Sequence, residues 1–115
     1  MTIRGINLSR KDKLEKYEVM YIVRPNIDEE AVDKVSQAVD EYIKNLGGNV
    51  ELTEKKGRRR LAYEVKKMRD GYYVYSVFTI KTDQIATIKR MMTLSEDIIR
   101  FLIVVFEESQ APVMT

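Results

Sequence analysis

The chain predicts an α+β fold with the element order β-α-β-β-α-β. Four stretches rich in β-branched and aromatic residues are bounded by turn signals. Two amphipathic segments with three- and four-residue apolar spacing join the first strand to the second and the third to the fourth. A short break alone separates the second strand from the third. Two right-handed β-α-β crossovers in that order interleave into one four-stranded antiparallel sheet. Both helices then cover one face and leave the other open, which is the ferredoxin-like sandwich.

The first strand is YEVMYIVR, Tyr17–Arg24, stopped by Pro25. Asp28 offers an N-cap to a helix whose buried stripe is Ala31, Val32, Val35, Val39, Tyr42, Ile43 and Leu46. Asp28, Glu29, Glu30 and Asp33 crowd its first turns, where the helix dipole favours negative charge. Gly47–Gly48 ends it. The second strand starts near Asn49 and runs, with a kink at Gly57, to about Lys66. Arg69-Asp70-Gly71 reads as the turn into the third strand, Tyr72–Lys81. Thr82 or Asp83 caps a second helix carrying Ile85, Ile88, Met91 and Met92, and Ile98–Phe106 is the last strand.

With 115 residues, the chain has the size of one domain. The folded part spans 17–106, between a basic tail at 1–16 and a short tail at 107–115. The first tail reads as a loose terminus or as a basic arm that orders on an acidic partner. The composition, 44% hydrophobic and 33% charged with both signs mixed, supports a single modest core. Neither cysteine nor histidine is present, which removes disulfides, thiolate chemistry, the usual general base and the commonest metal ligand. No cofactor or metal is expected, and no small-molecule substrate. No apolar run approaches the roughly 18 residues of a membrane span, and the first residues lack a secretory h-region, so a soluble intracellular protein is expected.

The open face of such a sheet should be polar at every second residue. Here Tyr17, Val19, Tyr21 and Val23 can face the helices, and so can Val74, Ser76, Phe78 and Ile80. The alternate set holds Met20, Ile22, Tyr73, Tyr75, Val77 and Leu102, rimmed by Glu18, Arg24 and Arg100. A contiguous apolar and aromatic patch of this kind marks a binding surface for another protein or RNA, the alternative being that a long tail or a second copy covers it.

The stretch Lys55–Arg69 holds eight Lys or Arg and one acid in a chain of net charge +2. Period two points Leu61, Tyr63 and Val65 toward the core, and Arg58, Arg60, Ala62 and Glu64 the other way. Lys66, Lys67 and Arg69 follow in the turn. A stripe this dense suits phosphate backbones, because each neutralised phosphate releases counterions and Arg grips two oxygens. A solvated edge strand would be the plainer reading of two or three such charges; eight in fifteen favour contact with a nucleic acid.

YEVMYIVRPNIDEE, GRRRLAYEVKKMRDGYY and LSEDIIRFLIVV, in this order and spacing, make residues 17–106 similar to the bacterial-type ribosomal small-subunit protein six family. The resemblance implies the ferredoxin-like fold and a structural, non-catalytic place in the small ribosomal subunit. It implies binding to the central domain of small-subunit ribosomal RNA, as a heterodimer with small-subunit protein eighteen, in a bacterial cytoplasm or a plastid. The RNA contacts then fall on Lys16, Arg58, Arg59, Arg60, Lys66, Lys67, Arg69 and Arg100. The open-face residues Met20, Ile22, Tyr73, Tyr75, Val77 and Leu102 become the protein contacts.

Two other readings share the scaffold. A single-strand RNA reader of RRM type has the same element order, yet Tyr73 stands where that pattern wants a small residue, and Tyr21 falls in the core register. An acyl-phosphate hydrolase would use Arg24 and Asn26, but no glycine-rich phosphate loop, carboxylate pair or nucleophile–base pair accompanies them.

Overall fold

The computed structural model describes residues 13–107. The proposed roles of residues 1–12 and 108–115 lie outside that range. The elements are β1 (Leu14–Val23), α1 (Glu29–Asn45), β2 (Asn49–Val65), β3 (Met68–Lys81), α2 (Ile85–Leu94) and β4 (Ile98–Val105), in the expected order. The sheet runs β2-β3-β1-β4 with every neighbouring pair antiparallel. This is the ferredoxin-like arrangement.

The core lies between the sheet and the two helices. Tyr17, Val19, Tyr21 and Val23 of β1, with Val74, Phe78 and Ile80 of β3, meet Val32, Val39 and Ile43 of α1 and Ile88 and Met92 of α2. Strand alternation therefore assigns the two faces as the sequence indicated. Tyr17 stacks on Phe78 with ring centroids 5.8 Å apart.

The ends of α1 are built by local chemistry. Asp28 accepts a hydrogen bond from the Ala31 amide at 2.9 Å, which satisfies one orphan donor of the first turn. At the other end the Gly48 and Gly47 amides donate to the Ile43 and Lys44 carbonyls, the two bonds of a Schellman cap. Entry into α2 differs from expectation. A 3-10 turn, Thr82–Gln84, precedes the helix, and the capping positions are Lys81 and Gln84, neither with a side-chain cap bond. Arg24 is a loop tie: its Nε donates to Asp97 at 2.8 Å and its guanidinium also donates to Asn26 at 2.9 Å.

Three features depart from the sequence reading. First, β1 begins at Leu14, so Leu14–Lys16 belong to the sheet rather than to the basic tail. Second, the β2–β3 connection is Lys66–Lys67 and not Arg69–Gly71, because β3 already starts at Met68. Both lysines have positive φ, 51° and 67°, the pattern of a two-residue type I′ hairpin. Gly71 lies inside β3 for a steric reason: a Cβ there would come within 2.5 Å of Ile22 Cγ2 and 2.9 Å of the Val23 carbonyl oxygen.

Third, β2 does not hold period two along its length. Its register against β3 shifts at Val50/Leu52, at Lys55/Gly57 and between Arg60 and Val65. Gly57, with φ of 94°, provides the kink expected there. The last shift leaves Leu61–Glu64 out of step with β3 and re-aims the end of the hairpin. Leu61, Tyr63 and Val65, expected in the core, instead turn over the open face and line a hollow with Ile22 and Tyr73. Tyr63 is 60% exposed.

Candidate nucleic-acid interface

The hairpin gathers the cations. Arg58, Arg59 and Arg60 pair with Tyr72, Gly71 and Asp70 across the ladder, and together with Arg69 they line one open cleft of about 370 Å³. Asp70 is the only acid in that lining. Arg58 donates from Nε to Asp70 at 3.0 Å and sits over the Tyr72 ring, and the Asp70 carboxylate raises its pKa further. Arg69 reaches Glu64 at 3.5 Å. Lys56 pairs with Glu54 at 2.8 Å, and Lys55 pairs with Asp33 of α1, which raises its pKa.

Half of the eight cations are thereby neutralised at home. Arg59, Arg60, Lys66 and Lys67 are exposed and make no ion pair among the described residues. The hairpin thus keeps four cations available to an outside anion.

Arg100, on β4, joins them from across the sheet. The re-aimed end of the hairpin brings Tyr63 under its guanidinium at 5.3 Å from the ring centroid, and Lys66 and Arg100 border one further hollow. Lys16 does not join them. It pairs with Thr79 near the opposite end of β1, about 20 Å from Ile22 at ~3.3 Å rise per residue. There it engages Glu51 at 3.3 Å and lies over the Phe106 ring. The structure therefore assembles seven of the eight expected RNA-contact residues at one end and leaves Lys16 at the other.

The open face holds the six expected partner contacts, in register. Met20 lies between Tyr75 and Leu102, and Ile22 between Tyr73 and Arg100. Their exposure separates them. Ile22 and Val77 are buried, at 7% and 5%, the first beneath the hairpin end. They offer little accessible surface to a partner. Leu102 is 65% exposed and, with Val104, forms the accessible apolar part of the face. Tyr75 donates its hydroxyl to Glu18 at 2.6 Å; burial and this carboxylate push its pKa up to about 12. The patch is thus narrower than period two suggested, and a polar pair divides it. Tyr21 is fully buried on the helix side, so it cannot stack a base as an RRM-type reader requires.

Sequence reasoning missed Tyr63. The register shift between Arg60 and Val65 displaced it from the core, and nothing in RRRLAYEV signals that shift by alternation alone. No helix among the described residues is long and apolar enough to cross a membrane.

A ferredoxin-like sandwich with helices on one face and an arginine-rich hairpin folded over the other belongs to the small α+β proteins that carry a cationic arm on a rigid sheet. Comparisons narrow that class. The family model described as ribosomal protein S6 matches residues 16–105. The small ribosomal subunit protein bS6 of Halalkalibacterium halodurans is 39% identical over 95 residues, covering 83% of this chain and 100% of that one. The corresponding protein of Exiguobacterium sibiricum is 40% identical over 90 residues, covering 78% and 95%. The crystal structure of 30S ribosomal protein S6 from Thermotoga maritima superimposes with a TM-score of 0.79 at 25% identity, over 89% of this chain and 96% of that one. This chain belongs to the ribosomal protein S6 family.

Proposed function

We propose that the protein is a non-catalytic structural component of the small ribosomal subunit, in the bacterial cytoplasm, and that it clamps small-subunit ribosomal RNA with its β2–β3 hairpin. The observation that carries this is the convergence of Arg58, Arg59, Arg60 and Arg69 on one cleft, with Arg59, Arg60, Lys66 and Lys67 making no ion pair among the described residues. Phosphates offer the charge these side chains lack, and the release of counterions supplies the binding free energy. Lys16, away from the cluster, makes a second and weaker contact. The accessible part of the open face, Met20, Tyr75 and Leu102, docks small-subunit protein eighteen, and the two proteins meet the RNA together. Joint docking gives each a high effective concentration, so neither needs tight binding alone.

The test is a titration of central-domain RNA at several salt concentrations. Replacing Arg58, Arg59 and Arg60 with Ala should weaken binding and flatten the plot of log affinity against log salt by about 2 to 3 units, at roughly 0.7 to 0.9 per lost phosphate contact. Secondary structure should be unchanged. An unaltered slope would overturn the clamp. Titrating protein eighteen with the same variant separates the surfaces, since that affinity should not move.

A further inference from the structure

The hollow under the end of the hairpin shares none of its lining with the arginine cleft. Its floor is Ile22, its walls are Leu61, Val65 and Tyr73, and Tyr63 and Arg100 form its lip. At about 130 Å³ it is well below the roughly 300 Å³ of sites for drug-sized ligands. It can take a single flat ring. Arg100 covers the Tyr63 ring, yet Tyr63 stays 60% exposed, so much of the aromatic surface remains free.

On the far side of Tyr63 a second depression is lined by Arg60, Leu61, Glu64 and Arg69. Arg60 and Arg69 also line the arginine cleft. Tyr63 therefore stands between an apolar hollow and a chain of guanidinium groups. Glu64 is the one carboxylate among the described residues of that lining, and Arg69 holds that group at 3.5 Å. An aromatic wall next to cations matches the two halves of a nucleotide, a π-faced base and a charged phosphate.

We propose that this hollow receives one unpaired base of an RNA strand, stacked against Tyr63 and Arg100, while the adjoining phosphates lie on Arg60 and Arg69. A base within a duplex has both faces covered by its neighbours, so the site selects single-stranded RNA, a bulge or a loop. The surrounding positive charge favours a phosphate-bearing ligand over an apolar side chain from a protein. This inference rests on the reading of the chain as an RNA-binding protein.

The test uses the full chain and two probes, a single-stranded oligoribonucleotide carrying 2-aminopurine and an RNA duplex of equal length. Binding should quench the 2-aminopurine fluorescence. Tyr63→Leu should abolish the quench and lower single-strand affinity about tenfold, the scale of one lost base–aromatic stack, without changing duplex affinity. Tyr63→Phe, which keeps the ring, should behave as the parent.

If Tyr63→Leu keeps both quench and affinity while Arg58→Ala, Arg59→Ala and Arg60→Ala together weaken both probes, the base site is wrong and the clamp stands. If neither probe binds the parent chain, the clamp itself fails and the base site with it. Equal losses on both probes in Tyr63→Leu would mean that Tyr63 only holds the hairpin in place, which overturns the proposal. So would a Tyr63→Leu variant that binds RNA normally but loses affinity for a protein partner.

Discussion

Asp40 shows how single residues in this fold carry costs that composition hides. It sits on α1 over the sheet and accepts from Thr53 Oγ1, 3.1 Å from each carboxylate oxygen. Thr53 in turn shares a hydrogen bond with Ser76, whose hydroxyl reaches the Leu52 carbonyl. Burial raises the Asp40 pKa, and the Thr53 bond and nearby Lys44 offset only part of that. The buried Tyr21 hydroxyl, with no hydrogen-bond partner among the described residues, feels the same carboxylate, and its own pKa is driven up, first by burial. A carboxyl whose folded pKa is raised favours the folded state when protonated. Its contribution is therefore fully present below its unfolded pKa and is lost as pH rises through the folded one. Asp40→Asn should match the parent's pH trend in acid and become relatively more stable as pH climbs beyond about 4. Urea denaturation of both proteins across that range checks it; a stability difference independent of pH would show that the carboxyl titrates normally.

At the scale of elements, the hairpin trades stability for position. Lys66 and Lys67 both occupy the left-handed region, which costs an L-residue with a side chain about 1 kcal/mol or more relative to the residues that favour it. Asn-Gly is the pair that such a loop prefers. Lys66→Asn with Lys67→Gly should raise the unfolding free energy by about 1 kcal/mol and weaken RNA binding by removing two cations that make no ion pair among the described residues. Thermal denaturation and the salt titration read the two effects separately. This is also where the sequence was least legible. RDG looks like a turn and KK does not, because turn propensity ranks residues by backbone comfort. A loop held by the ladder on both sides can seat residues that propensity disfavours. The strands β1 and β3 were legible because their mutual register runs without a shift, and β4 because it shifts against β1 only once, at its start beside Ile22 and Val23. The shifts in β2 broke its alternation, and Leu61, Tyr63 and Val65 were misread with it.

For the whole molecule, the division of labour between faces was legible, and the shape of the docking patch was not. Period two assigned Ile22 and Val77 to the open face correctly, but alternation carries no information about what folds over that face. The consequence is a graded set of substitutions. Leu102→Glu should leave stability within about 0.5 kcal/mol, as exposed sites usually do, and impair binding of protein eighteen. Val77→Asp should cost several kcal/mol by burying an unpaired charge and should affect every function at once. Isothermal titration with protein eighteen beside a denaturation curve separates the two; loss of stability in Leu102→Glu would place Leu102 in the core.

The outermost strand has a bearing on supply in the cell. IIRFLIVV is an edge strand with one charge and no proline, and it leaves Leu102, Val104 and Val105 open to solvent. Segments of that kind pair readily with copies of themselves. A chain made in excess of its assembly sites would be prone to clump or to be cleared by proteases. Any surface that covered this edge would remove that tendency.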